Sequence, residues 1–201
     1  MRQQTYEAVN QINEKYHGYI RTVDLLREGF TNRQIANLQS EGYLEKIANG
    51  SFWLSRAGRE KPWDYKPVEV GIVNENAVIV AESACYYQGF IEIEPPALSI
   101  ATRRSDRHKM QFPFAVTRHY FAEDTFDAEK KTVKTSFGNY QIYDIDRSVC
   151  DCIRFQESMD GHIFTLIIEK YQKEHAEKNR INRMMAYARS MKFEEKARRI
   201  L

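Results

Sequence analysis

The sequence predicts an α+β protein, with an N-terminal winged helix-turn-helix over residues 1–60 and, over 61–201, a small α+β domain ending in a helical tail. Three observations predict it. A helix-periodic stretch, a short helix and a polar-faced helix follow one another up to Gly42. Asn49-Gly50 then separates two strand-like runs, the strongest short-range signal for a hairpin. Past residue 61, strand-like and helix-like runs alternate and then give way to helix alone.

In the first helix, Gln3 to Tyr16, the apolar positions Tyr6, Val9, Ile12 and Tyr16 recur at helical spacing, and Gly18 ends it. Tyr19-Ile20 reads as a short extended link. Thr22 is placed to cap a short helix, Val23 to Glu28, with Leu25 and Leu26 as core residues and Gly29 as its stop. Thr31 opens a third helix, and Gln34 stands at the spacing of a capping box. Ile35 and Leu38 turn inward, while Arg33, Asn37 and Ser40 share the opposite face. Gly42 closes this helix, and Tyr43 to Ile47 and Ser51 to Leu54 form the hairpin.

Arg56 to Pro67, rich in Gly, Pro, Lys and Arg, reads as the linker. Val68 to Val73 is expected as a strand or the linker's end, and Ala77 to Ala81 leads to a short helix, Ser83 to Gln88. Strands are expected at Ala97 to Ala101 and Phe114 to Tyr120, flanking the basic loop Thr102 to Met110. One or two more lie in Lys131 to Tyr143, with a turn at Gly138-Asn139. Helices follow at Ile145 to Phe155, Ile163 to Glu174 and Lys178 to Met191, with a last turn or two from Phe193.

Hydrophobic residues at 42% and charged residues at 29% are an ordinary globular composition. Apolar runs such as Val78 to Ala81 are too short to span a bilayer, and no secretory segment opens the chain, so the expected location is the cytoplasm. The net charge of +2 is unevenly spread: residues 1–66 carry ten Lys/Arg against eight acids, 67–161 ten against fifteen, and 162–201 ten against five. Both ends can face phosphate and the middle repels it.

Candidate functional residues follow from that layout. Arg33 can grip guanine, Asn37 adenine, and Ser40 either, if the third helix enters a major groove; Thr31 and Gln34 stand at its start. The plainer reading is the polar outer face of any amphipathic helix. Lys46, Asn49, Ser51 and Arg56 belong to the wing or its approach, as phosphate contacts or as ordinary solvating groups, with Arg21 and Arg27 as weaker candidates. The loop Arg103-Arg104-Ser105-Asp106-Arg107-His108-Lys109 is a solvated loop or a phosphate contact. In the tail, Lys178, Arg180, Arg183, Arg189, Lys192, Lys196, Arg198 and Arg199 alternate with Glu177, Glu194 and Glu195, as on a helical surface, a dimer element or a DNA face.

Catalysis and metal binding find little in the sequence. Asp144, Asp146 and Asp151 cluster after a strand, but no acid-x-Lys pair accompanies them; Asp146 is expected to cap a helix and Asp151 to pair with Arg147. Cys85, Cys150 and Cys152 are an odd set without metal spacing, expected as semi-buried structural thiols. No cofactor is expected. A nucleic-acid-processing enzyme and a protein-docking module remain the alternatives to a DNA-binding regulator.

Four stretches carry a family resemblance: Gly18 to Thr22, Gly42-Tyr43-Leu44-Glu45-Lys46-Ile47, Glu82 to Phe90, and Tyr143-Asp144-Ile145-Asp146-Arg147-Ser148-Val149-Cys150-Asp151-Cys152. In these the chain resembles the AbiEi-type antitoxins of abortive-infection (type IV) toxin-antitoxin systems, the last being similar to that family's Arg-Thr-x-x-Asp segment with Ser148 in place of Thr. The resemblance implies a transcriptional repressor, monomer or homodimer, that binds double-stranded DNA at inverted repeats upstream of its own operon. It also implies an antitoxin that restrains a nucleotidyltransferase-like toxin with no need of direct contact. Neutralisation is linked to the helical C-terminal part, and no neutralising residue carries over by position.

Overall fold

The computed structural model describes residues 3–16, 18–55, 60–174 and 178–201, without the side chains of 3–6, 13, 14, 178 and 179. Expectations for Arg56 and Glu177, and for the side chains of Tyr6 and Lys178, lie outside the described residues. The protein is mixed α+β. The chain runs through α1 (Gln3–Tyr16), β1 (Tyr19–Arg21), α2 (Thr22–Arg27), α3 (Asn32–Ser40), β2 (Leu44–Ala48) and β3 (Ser51–Leu54). The three strands form an antiparallel sheet in the order β1-β3-β2, so the hairpin's second strand is central. Val9 and Ile12 of α1, Leu25 of α2, and Ile35 and Leu38 of α3 pack with Ile20, Leu44, Phe52 and Leu54 of this sheet in one core.

Two local details differ from expectation. Leu26 is 44% exposed whereas Leu25 is fully buried. Neighbours on a helix point about 100° apart, so a six-residue helix seats one of them in the core and turns the other outward. Thr22 is the first residue of α2 and not its cap; the cap position is Arg21, without a side-chain bond. Thr22 instead ties down the hairpin turn, its N–H and hydroxyl donating to the Gly50 carbonyl at 2.9 and 3.4 Å.

Gly18 is required by its surroundings. It sits at φ +91°, and a Cβ there would lie 2.4 Å from the Trp53 ring. Its carbonyl accepts from the Leu54 N–H at 2.8 Å, fixing the chain's entry into the sheet.

The chain divides into two compact units, one comprising Met1–Val73, Lys109–Pro113 and Lys134–Asn139, the other Asn74–His108, Phe114–Val133 and Tyr140–Leu201. The boundary expected at residue 60 thus falls inside the first unit. Its last element there, α4 (Tyr65–Val73), is a helix where a strand or linker was expected. Pro67 lies in its first turn, where a missing N–H costs no helical bond. Glu69 of α4 is buried and must be compensated. Tyr19 donates to its Oε1 at 3.2 Å, and Lys61 pairs with it at 2.8 Å while reaching Glu45 at 2.7 Å. Burial pushes the Glu69 carboxyl up against the pull of Lys61.

After α4 the chain runs through β4 (Val78–Ile79), α5 (Ala81–Tyr87), β5 (Leu98–Arg103), β6 (Val116–Phe121), α6 (Glu123–Phe126), β7 (Lys130–Thr135), β8 (Gly138–Tyr143), α7 (Ile145–Phe155), α8 (Gly161–Glu174), α9 (Lys178–Ser190) and α10 (Glu194–Ile200), all in the second unit except the Lys134–Asn139 end of the β7–β8 hairpin. The five-stranded sheet has the order β6-β5-β4-β8-β7, with β4 antiparallel to β5 and parallel to β8, and β5 parallel to β6. The last hairpin turns at Ser136 and Phe137, two residues before the expected Gly138-Asn139. Thr135 organises that turn, its hydroxyl donating to the Gly138 carbonyl at 2.7 Å and accepting from the Phe137 N–H at 3.1 Å.

Helix α7 is the hub, packed by α5, α8, α9 and α10. Its cap is Asp144, not Asp146: the Asp144 carboxylate accepts from the Arg147 N–H at 2.8 Å. Asp146, inside the first turn, is buried and accepts from Tyr171 at 3.1 Å, from Arg180 Nε at 3.0 Å and from Arg183 Nε at 2.9 Å. The expected Arg147–Asp151 pair is present at 3.3 Å and entirely buried. The Arg147 guanidinium lies 4.6 Å from the Tyr143 ring centre and 5.5 Å from that of Phe121. Burial pushes the Asp151 carboxyl up against the attraction of Arg147. Such a pair adds little net stability over an apolar pair, but losing one partner strands the other. Cys85, Cys150 and Cys152 are free and fully buried, not half-buried, and pack as small apolar groups.

Gly18→Ala will destabilise the chain by about 2–5 kcal/mol, the sum of left-handed strain and overpacking. Gly50→Ala, at φ +74° but with Thr22 Oγ1 a comfortable 3.6 Å from the new carbon, will bear the backbone strain alone. Thermal unfolding of both variants checks this, and equal losses would refute the steric role of Trp53. Arg147→Ala will cost about 3–5 kcal/mol, and Arg147→Met combined with Asp151→Leu will recover most of it. Urea unfolding reads both, and a double variant no better than the single would contradict the stranded-charge account.

Candidate functional site

Helix α3 is held at its start and on one side, which leaves its other side exposed. Its capping box is complete: Thr31 Oγ1 accepts from the Gln34 N–H at 3.3 Å, and Gln34 Oε1 accepts from the Thr31 N–H at 2.8 Å and hydroxyl at 2.9 Å. Thr31 and the Gln34 carbonyl oxygen therefore serve the helix, while the Gln34 amide NH₂ is a donor at its exposed end. Gly42, at φ +75°, ends it with its N–H donating to the Gln39 carbonyl at 3.0 Å.

Arg33, Asn37 and Ser40 are exposed together, opposite buried Ile35 and Leu38, as their spacing predicts. The Ser40 hydroxyl donates to the Asn37 carbonyl at 2.9 Å, so its outward lone pairs are left to accept. Ala36, three residues after Arg33, is exposed between them on the same face.

In the hairpin, Lys46 and Asn49 are exposed, whereas Ser51 is largely buried, at 9%, and lines the groove beside the hairpin. Ser51 begins the central strand and is paired with Arg21 on one side and Ala48 on the other. Arg21 is exposed at the sheet edge, whereas Arg27 is paired with Asp24 at 3.2 Å. Beside the hairpin lies an open groove of about 760 Å³, lined by Arg21, Lys46, the Asn49–Gly50 turn, Lys109 and Phe112.

The remaining basic candidates are largely engaged internally. Arg103 pairs with Glu123 at 2.7 Å and with Asp127, and its guanidinium covers the Phe126 ring at 4.6 Å. Asp106 is held by His108 at 2.9 Å, Arg118 at 3.3 Å and Asn74 at 2.7 Å; hydrogen bonds from His108 and Asn74 keep its carboxyl low despite burial. Arg104, Arg107 and Lys109 are the exposed cations of that loop. In the tail, Arg180 and Arg183 serve Asp146, and Arg189 and Arg198 each bond Glu194, pulling its carboxyl down to about 2.

Asp144, Asp146 and Asp151 are spent on a cap and on arginine pairs. Among the described residues no group of three or more His, Cys, Asp or Glu could hold a metal ion, and no helix is long and apolar enough to cross a membrane.

No family model and no curated protein matches the chain. Among solved structures it is similar to the RV2827C protein from Mycobacterium tuberculosis, with a TM-score of 0.59 and 13% identity over 97% of this chain and 80% of that one. At that identity the likeness bears on the α+β fold alone.

Proposed function

We propose that the chain is a sequence-specific DNA-binding repressor whose first unit works as a winged helix-turn-helix. Helix α3 enters the major groove and the β2–β3 hairpin lies along the adjacent backbone. The observation that carries this reading is the single outward face of α3, where a bidentate cation, a methyl, an amide and a hydroxyl (Arg33, Ala36, Asn37, Ser40) stand on a helix anchored by Ile35 and Leu38. These are the side-chain types that distinguish base edges in the major groove. Lys46 and Asn49 supply backbone contacts, and Thr31 and Gln34 act by fixing the helix start. The reading needs two copies, or two successive bindings, on half-sites about one helical turn apart.

The resemblance to AbiEi-type antitoxins extends the proposal to a biological setting. The chain represses its own operon in the cytoplasm and restrains a nucleotidyltransferase-like toxin. It acts by binding, not by catalysis.

Titration of the protein against a labelled fragment of its own upstream DNA, with scrambled competitor and at two salt concentrations, tests the reading. A discrete, competitor-resistant shift that weakens steeply with salt is expected. Arg33→Ala and Asn37→Ala will each cost about 1–3 kcal/mol of specific affinity and relax selectivity at one base pair. Absence of a specific shift at either salt, or a variant as selective as the wild-type chain, would overturn it.

A further inference from the structure

We infer that the DNA-contacting surface does not end with the hairpin but is completed by the Lys109–Pro113 segment, and that the groove between them holds the phosphodiester backbone of the duplex. The inference rests on the DNA-binding reading of α3 and adds a contact site outside the first 60 residues.

Three observations carry it. Lys109–Pro113 belongs to the first compact unit although it follows Val73, the end of that unit's main stretch, by 35 intervening residues in the sequence. Lys109 and Gln111 line the same 760 Å³ groove as Arg21, Lys46 and Asn49. Among the described residues that line it there are three cations and no carboxylate. In a chain with 28 acids against 30 Lys/Arg, a groove of this size free of acids is a local excess of positive potential. Arg103, Asp106 and Arg118, nearby in sequence, are locked into ion pairs, so the exposed Lys109 is the loop's contribution to this groove.

The groove's shape suits a polymer backbone. It is open, its lining is apolar where Ile47 and Ile72 contribute, and its polar groups are Lys, Arg, Asn, Gln, Ser and Thr side chains of the kind that bond phosphate oxygens and sugars. The turn at its lip is fixed, since Thr22 holds the Gly50 carbonyl. A fixed lip and a charged wall set register along the backbone without reading sequence, which is the complement of what α3 offers.

The test compares wild-type chain, Lys109→Ala and Arg33→Ala in binding to the upstream fragment and to a scrambled duplex across a series of salt concentrations. Circular dichroism melts confirm that each variant is folded. Lys109→Ala is expected to weaken binding to both duplexes by the same factor and to make the slope of log affinity against log salt shallower by about 0.9, one phosphate contact. Arg33→Ala should lower the preference for the upstream fragment. A wild-type chain that binds specifically while Lys109→Ala leaves affinity and slope unchanged overturns this inference and spares the α3 reading. A wild-type chain that binds no duplex overturns both. A parallel titration with tripolyphosphate separates the other source of the same chemistry. If the free anion perturbs the Lys109 and Lys46 amide resonances while Lys109→Ala leaves duplex binding untouched, the groove serves a small anion and the inference fails.

Discussion

The seating of α3 by Ile35 and Leu38 governs what the first unit can do. Nine residues are too few to hold a helix in water by themselves. Burial of two large aliphatic side chains contributes about 3–6 kcal/mol, and the capping box adds about 1. These terms fix the helix in orientation as well as in existence, because the two anchors lie one turn apart on a single stripe. The exposed stripe is thereby set with no freedom to rotate. The proposed recognition role needs those side chains to arrive together, and the face is held from behind by packing and from its N-terminus by hydrogen bonds.

Charge is partitioned with similar economy. The tail is the most basic part of the chain, yet most of its described arginines are drawn into the acids around α7 and α10. Asp146 is buried and accepts from a tyrosine and two arginines, so those cations hold α9 against α7 and not an external anion. Exposed pairs such as Arg198–Glu194 contribute little each, but they cancel field. Among the described residues of the first unit, the exposed cations outside any ion pair are a small set: Arg33 on α3, Lys134, and Arg21, Lys46 and Lys109 around the groove. The distribution of partners thus points to a surface that the net charge conceals.

How much of this could be read from the sequence depends on the range of the interactions involved. The bounds of α1, the Thr31–Gln34 box, the Asn49-Gly50 turn and the outward set of Arg33, Asn37 and Ser40 are decided within a few residues, and they were legible. The burial of Ser51 was not legible, because it depends on β1 joining the hairpin from the other side, a fact of strand order. Val68 to Val73 was open between strand and linker in the sequence, and it is a helix whose buried Glu69 meets Tyr19, 50 residues away, and Lys61, contacts no local pattern discloses. Asp144 and Asp146 are equally suited to capping by sequence; the extended backbone at Asp144 makes it the cap and leaves Asp146 inside the first turn, where the arginines of α9 meet it. The groove was invisible for the same reason, since Lys109 and Lys46 come from distant parts of the chain.

Dimethyl sulfate protection of the upstream duplex tests the central claim, that α3 reads the major groove, most directly. The reagent methylates guanine N7 in the major groove and adenine N3 in the minor groove. The account predicts protection of guanine N7 in two patches about ten base pairs apart, with one guanine in each patch losing protection when Arg33 is replaced by Ala. Protection confined to adenine N3, or a guanine pattern indifferent to Arg33, would contradict it.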